Sequence, residues 1–292
     1  QKILNQTMLC YEGKLSVICF LGSASLIFLL FLPEVYFDFI PKIWGAICWG
    51  PALYFSLGNI ILRLIFKGFL YQVAIRSTFL GYVFAMGVFV YGLGADNWRA
   101  FGIYATVMSV FHYSEFLAIA YTNPATLNIS SFMLNHSFQY AVAAVSSWTE
   151  FCIETYFWPD LKTNQYLWYA GLSICIIGEV LRKTAMLTAQ SNFTHLVQDQ
   201  KAPDHVLVTH GVYSYARHPS YVGWFYWSIG TQIILQNPLC IIGYAIASWL
   251  FFKERVYMEE YTLLHFFGQD YIDYQRRVPT GLPFIQGFKL NM

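Results

Sequence analysis

Apolar runs of about twenty residues recur along this chain, and a helix of about 20 residues is what crosses the roughly 30 Å hydrocarbon core of a bilayer. Such runs fall near Leu15–Leu32, Ile43–Phe66, Phe69–Leu93, Trp98–Tyr121, Phe132–Trp158 and Tyr166–Ala189. A further run, Tyr221–Phe252, is too long for one crossing, and Asn237-Pro238 at its middle is a strong turn signal. It reads as a tight helical hairpin. In lipid every backbone N–H and C=O needs an internal partner, which leaves helices for runs of this length. The expected fold is an all-α integral membrane protein with about eight transmembrane helices, a hairpin at 221–252 and a cytosolic C-terminal helix over 253–278, ended by Pro279, Gly281 and Pro283. Residues 1–130 form an N-terminal set of transmembrane helices in this reading, and 131–292 a catalytic region with a polar loop at 195–223. The first apolar run is long enough to span and lacks a small-residue cleavage site, so it reads as a membrane helix rather than a cleaved leader.

Composition agrees. Of 292 residues, 57% are hydrophobic and 11% charged, against about 25% charged in soluble domains. A net charge of +1 supplies no basic stripe for nucleic acid. The six cysteines are scattered without a CxxC pair, so neither a metal site nor a disulfide framework is expected. Lys14, Arg63, Lys67, Arg182, Lys183, Lys201, Arg217, Lys253, Arg255, Arg276 and Arg277 fall on one side of the bilayer in this count, while Arg99 and Lys162 face the other with Asp96 and Asp160. The basic side is cytosolic. Both termini and the polar loop lie there, and the Asn-x-Ser/Thr sites at Asn128 and Asn192 stay unmodified.

The longest polar interval, Gln198–Gly223, holds the pattern LV-x-x-G-x-Y-x-x-x-R-H-P-x-Y-x-G from Leu207 to Gly223. Gly211 suits a tight turn. Pro219 suits the first turn of a helix, and His218 before it is placed as an N-cap-like residue. A helix beginning there aims free N–H groups at the polar loop, a site for an anionic group such as a carboxylate. The same residues also fit a plain interfacial turn. Downstream, Arg255 and Glu259 share one helix face. Taken alone the pair is a surface ion pair; set against His218–Tyr221 by the hairpin, Arg255 suits a carboxylate and Glu259 a cationic ligand. Among ionisable residues inside the spans, Arg76, Glu115 and Glu150 read as helix–helix contacts, and Arg182 either as another or as part of a substrate pocket.

The RHPSY motif, the hairpin and R-x-x-x-E together resemble the isoprenylcysteine carboxyl methyltransferase family. So do FHYSEF (Phe111–Phe116), FMLNHSFQY (Phe132–Tyr140) and AAVSSWTEF (Ala143–Phe151). The resemblance implies S-adenosylmethionine as methyl donor, with S-adenosylhomocysteine as product. It implies that Gln198, His205, Val206, Leu207 and Val208 line the nucleoside with Tyr213 beside it, and that His218, Pro219, Ser220 and Tyr221 hold the methionine end. Glu259 would face the cofactor, and Arg255 would bind the acceptor carboxylate; these two are the expected catalytic residues. The implied substrates are prenylated CaaX proteins of the small-GTPase type, carrying S-farnesyl or S-geranylgeranyl cysteine, and the implied location is the endoplasmic reticulum membrane. The RHP-x-Y-x-G core is shared with phospholipid methyltransferases and sterol reductases. The alternative activity is therefore N-methylation of phosphatidylethanolamine. A reductase would need a basic phosphate-binding cluster that the sequence lacks, and a catalytically silent scaffold has no use for Arg255 and Glu259.

Overall fold

The computed structural model describes residues 9–37, 55–134 and 137–289. The apolar run expected from Ile43 therefore lies partly outside the described residues. The helices are α1 (Tyr11–Phe37), α2 (Phe55–Ile65), α3 (Gly68–Leu93), α4 (Asp96–Thr122), α5 (Phe138–Phe157), α6 (Gln165–Ala189), α7 (Pro219–Leu235), α8 (Pro238–Phe267) and α9 (Gln269–Arg277). Short 3-10 turns join several of them, and the described residues include no strand. Tyr11–Leu29, Gly68–Leu93 and Asp96–Thr122 are each long and apolar enough to cross a membrane. The described residues fall into two compact units, one within 1–121 and 127–134, the other within 122–126 and 135–292.

In the first unit, α1 runs along α3. Gly81 permits the close approach, since a Cβ there would lie 3.0 Å from the Phe20 carbonyl carbon. Phe20, Val73, Leu80, Phe116, Ala120 and Phe132 make one core, in which the Phe116 and Phe132 rings stack at 4.0 Å. Ser109 donates to the Leu80 carbonyl at 2.6 Å, and Glu115 is fully buried. Outward faces carry exposed Ile18, Leu21, Leu29 and Leu64. Apolar surface of that kind is stable against lipid rather than water.

The expected span from Phe132 starts too early. Ile129–Phe132 is a 3-10 turn capped by Asn128, and Met133 turns left-handed at φ 57°. Helix α5 begins only at Phe138, where the Ser137 hydroxyl accepts the Tyr140 N–H at 3.2 Å.

In the second unit, α6 and α7 form the tightest pairing through facing glycines. A Cβ on Gly171 would meet the Gly230 carbonyl at 2.7 Å, and one on Gly223 would meet the Arg182 backbone N at 2.9 Å beside Gly178. Glycines seven apart on each helix put both contacts on one seam. The turn between α7 and α8 occurs where the sequence signals it, with Gln236 left-handed and Pro238 in the first turn of α8. A polar set under this turn holds it. Lys162 is fully buried; its Nζ donates to Glu154 at 2.5 Å, to the Leu235 and Gln236 carbonyls at 2.9 Å and to Asn237 Oδ1 at 3.0 Å. The Glu150 carboxylate accepts the Leu239 and Cys240 N–H groups at 2.7 Å, which caps α8. Glu150 is the helix–helix contact it was expected to be. Lys162 is not the loop charge the topology count assumed.

Beyond the hairpin the expected separate tail helix does not exist as drawn. Helix α8 continues unbroken from Pro238 to Phe267, and only Gly268, at φ 53°, breaks it before α9. The physical reason is that KERVYMEEYTLLHFF contains no Gly or Pro to stop the helix, while Phe252, Val256 and Glu260 keep one face buried.

Candidate functional site

A cleft opens in the second unit between the loop 192–208, the start of α7, the end of α8 and α9. Gln198, His205, Val206, Leu207, Val208, Tyr213, His218, Pro219, Ser220, Tyr221 and Glu259 all line it. The structure thus brings together residues that span 62 positions of sequence, from Gln198 to Glu259.

Local folding explains how. The loop after α6 is pinned at Asn192, whose Oδ1 accepts the Val206 N–H at 2.8 Å, and at Asn123, whose Nδ2 donates to the Ser191 and Phe193 carbonyls at 3.1 and 3.3 Å. Lys201 closes the far end of the loop onto α8, donating to the Phe266 carbonyl at 3.0 Å and lying 4.4 Å from the Phe267 ring. The His205 ring meets Phe266 and Phe267 edge-on. Its burial, with Lys201 nearby, holds the imidazole below its ordinary pKa and hence neutral at pH 7. Leu207 packs on Tyr271 and Tyr274 of α9, and the Tyr274 hydroxyl donates to the Tyr213 carbonyl at 2.5 Å. Burial first, then the Glu259 charge, raises the Tyr213 phenol, so it stays protonated.

His218 occupies the N-cap position of α7, as expected, but its side chain does not cap the helix. Its φ and ψ are −124° and 56°, and its side chain makes no bond to the helix N–H groups. Instead its Nε2 lies 3.0 Å from Glu260 Oε1, and its ring is parallel to that of Tyr221 at 5.5 Å. Glu260 is the residue the sequence reading missed. It is fully buried and accepts from Arg217 Nε at 2.8 Å, Gln275 Nε2 at 3.0 Å and the Phe288 N–H at 2.9 Å. Arg217 also donates to the carbonyls of Val278 and Gln286, and its own N–H donates to Pro279 O at 2.8 Å. The motif's arginine and histidine are thereby tied to the C-terminal segment. A signal was available: Phe252, Val256 and Glu260 repeat at four-residue spacing, which puts an acid on the buried stripe of α8.

Arg255 does not line the cleft. It sits behind Tyr221, with Nε 3.1 Å from the Tyr221 hydroxyl and Nη2 bonded to the His195 carbonyl. The same hydroxyl donates to Glu259 Oε2. Arg255 and Glu259 therefore communicate through Tyr221, with the carboxylate on the cleft side and the guanidinium beyond it. Arg182, two turns into the site-side end of α6, is buried; its Nη1 donates to Ser220 Oγ at 2.7 Å and its guanidinium lies 4.9 Å from the Trp224 ring.

The cleft suits an elongated ligand with a cationic centre and an anionic end. Glu259 supplies negative charge, the first turn of α7 supplies a helix N-terminus through Pro219 and Ser220, and the aromatic and aliphatic walls suit a flat ring system.

Comparison with known proteins gives the geometry its context. A family model described as the isoprenylcysteine carboxyl methyltransferase family matches residues 171–265, which run from α6 to the last turns of α8. A Tribolium castaneum protein named protein-S-isoprenylcysteine O-methyltransferase is 53% identical over 285 residues, covering 97% of this chain and 100% of its own length. The Homo sapiens protein of that name is 48% identical over 281 residues, covering 96% of each. A solved structure of a eukaryotic intramembrane Ras methyltransferase, isoprenylcysteine carboxyl methyltransferase, superposes with a TM-score of 0.93 at 53% identity, over 96% of this chain and 100% of the other. Identity at this level over essentially whole chains means that the chain belongs to the isoprenylcysteine carboxyl methyltransferase family.

Proposed function

We propose that this membrane enzyme methylates the C-terminal α-carboxylate of S-farnesyl or S-geranylgeranyl cysteine in processed CaaX proteins of the small-GTPase type. The observation that carries the reading is the Arg255–Tyr221–Glu259 relay at the edge of the cleft. S-adenosylmethionine, when bound, supplies a methyl group on a sulfonium and leaves as S-adenosylhomocysteine. The cleft fits it on its own chemistry: an acid for the cation, a helix start for the carboxylate, and Leu207, Val208 and Tyr213 for the nucleoside. Gln198, His205 and Val206 close the nucleoside side, and His218, Pro219, Ser220 and Tyr221 the methionine side.

The chain's own residues have a positioning task. An α-carboxyl has a reference pKa of about 3.5, so the acceptor is ionised at neutral pH and no general base is required. Arg255 carries five N–H donors, two of them engaged by Tyr221 and His195. The others orient the acceptor carboxylate toward the cleft. Tyr221 holds the guanidinium and Glu259 at a fixed spacing, so that acceptor and donor sites are aligned before either fills. Alignment of this kind supplies several kcal/mol of the barrier reduction. Phosphatidylethanolamine methylation would instead require a base for the ammonium proton.

The topology belongs to the same proposal. About eight crossings place both termini, the loop 195–223 and the end of α8 on the cytosolic face of the endoplasmic reticulum membrane, with 1–130 and 131–292 as the N-terminal and catalytic regions. The prenyl chain is apolar and enters from the bilayer; the charged donor enters from water.

The test is methyl transfer from labelled S-adenosylmethionine to N-acetyl-S-farnesylcysteine in detergent, with Arg255→Ala and a phosphatidylethanolamine arm in parallel. Transfer to the prenylcysteine, lost in the variant, is expected. Transfer only to the lipid amine overturns the assignment.

A further inference from the structure

A second cavity, larger than the cleft and of about 770 Å3, lies between α7, α9 and the segment 279–289. Its lining is mixed: Tyr226 from α7, Ile272 from α9 and Pro283 from the C-terminal segment give an apolar strip, beside the polar Gln275, Thr280 and Gln286. Its rim is basic: Arg276 and Lys289 both line it and both are exposed. Asp273 shares Arg276 at 3.4 Å, an exposed pair that water screens. Nothing in the reaction proposed above uses this groove.

Its surroundings mark a membrane–water boundary. The Trp249 Nε1–H donates to the Pro283 carbonyl at 2.8 Å, and Lys253 Nζ lies 5.0 Å from the Trp249 ring. Trp and Lys side by side at the end of an apolar helical stretch are interfacial anchors. Phe284 is 95% exposed and holds a left-handed φ of 61°, a conformation unfavourable for a residue with a Cβ. The backbone bonds on either side, Arg217 N–H to Pro279 O and Phe288 N–H to Glu260, fix the loop so that this ring points outward. An apolar ring held out next to Trp249 is placed to enter lipid.

We infer that the groove holds one anionic glycerophospholipid, its phosphate between Arg276 and Lys289 and an acyl chain along Tyr226, Ile272 and Pro283. A free anion has no use for the apolar strip, and a neutral lipid has no use for the basic rim. The site also has a route to the cleft, because Arg217 lines both cavities and is bound to Glu260 between them. A seated lipid braces the outer side of that arginine.

The test uses the full chain in phosphatidylcholine nanodiscs doped with a photoreactive phosphatidylserine bearing an acyl-chain diazirine. Adducts are expected within 279–289 or at Tyr226, displaced by excess phosphatidylserine and not by phosphatidylcholine or inorganic phosphate. Arg276→Gln/Lys289→Gln should weaken that labelling about thirtyfold, since each basic group near an anionic surface is worth about a factor of five. Tyr226→Ala, which leaves the charge unchanged, should also weaken it, and this separates a built site from general surface attraction. Labelling spread over the helices equally for phosphatidylcholine and phosphatidylserine probes, displacement by phosphate, or indifference to both variants overturns the inference. Because the readout is lipid labelling, its failure is distinct from failure of the methyl-transfer assignment.

Discussion

His218 Nε2 and Arg217 Nε converge on a single oxygen of Glu260, at 3.0 and 2.8 Å. Adjacent residues of one loop and an acid 42 positions beyond His218 are thus one buried polar unit. The other carboxylate oxygen takes Gln275 and the Phe288 N–H. The unit ties the start of α7 to α8, α9 and the C-terminal segment, and His218 forms part of the cleft wall. Glu260→Ala leaves Arg217 buried without its counter-charge, which costs about 3–5 kcal/mol. Thermal unfolding in detergent should show a loss of that order. Glu260→Gln keeps the shape and loses the charge, and should retain more stability while raising the KM for the methyl donor more than that for the prenylcysteine. Equal stability of Glu260→Ala and wild type would contradict the role.

The acid limb of the stability profile should belong to the same group. Burial alone would raise the Glu260 pKa, but His218 and Arg217 outweigh it and hold the carboxyl below its ordinary value of 4.5. A depressed folded pKa means stability that is fully present above the unfolded value and is lost as pH falls through the folded one. The contribution is therefore complete at neutral pH and disappears only in acid, below about 4.5. Unfolding midpoints measured across the acid range should fall in wild type and flatten in Glu260→Gln. A wild-type loss centred near neutrality would point to a different group.

Tyr221 offers a test of the relay that spares the fold. Its hydroxyl accepts from Arg255 and donates to Glu259, while its ring is held separately against Phe252 and His218. Tyr221→Phe removes the hydroxyl and keeps the ring packing. Hydrogen bonds to charged groups are worth about 1.5–3 kcal/mol, so kcat/KM should fall by about ten- to a hundredfold with little change in the unfolding temperature. Arg255→Lys should behave as a non-conservative change, raising the KM for prenylcysteine, because an ammonium cannot present a planar fork to Tyr221, His195 and a carboxylate at once. Wild-type kinetics in Tyr221→Phe would remove the relay from the mechanism.

How much of this was legible in the sequence depended on how local each signal was. The turn at Asn237-Pro238, the helix start at Pro219 and the ends of α3, α4 and α6 follow from punctuation that acts over a few residues, and each lies within two residues of its expected place. The residues lining the cleft were named through family resemblance, since no periodicity joins Gln198 to Glu259. Three features escaped because they depend on distant partners. Phe132 looked like the first residue of a span, yet its ring belongs to the core around Phe116. His218 takes the N-cap position, but its ring turns to Glu260 instead of the helix N–H groups. Lys162 looked like a loop charge, and only the folded hairpin supplies the carbonyls that let it be buried.

Lys162 leads to a prediction that separates scaffold from site. Its ammonium ends α7 by binding the Leu235 and Gln236 carbonyls, and Glu154 on α5 neutralises it. None of these residues lines the cleft. Lys162→Met keeps much of the volume but strands the Glu154 carboxylate and the two carbonyls, at a cost of about 3–5 kcal/mol. For a chain of this size that corresponds to about 10 °C in unfolding temperature. Below that temperature the KM values for methyl donor and prenylcysteine should be unchanged. Lys162→Met/Glu154→Gln should recover part of the loss, because the stranded charge is gone while the unsatisfied carbonyls remain. If the single variant altered the KM values while leaving the unfolding temperature intact, the hairpin end would have to be coupled to the cleft through α7, and the separation of scaffold from site drawn from these contacts would be wrong.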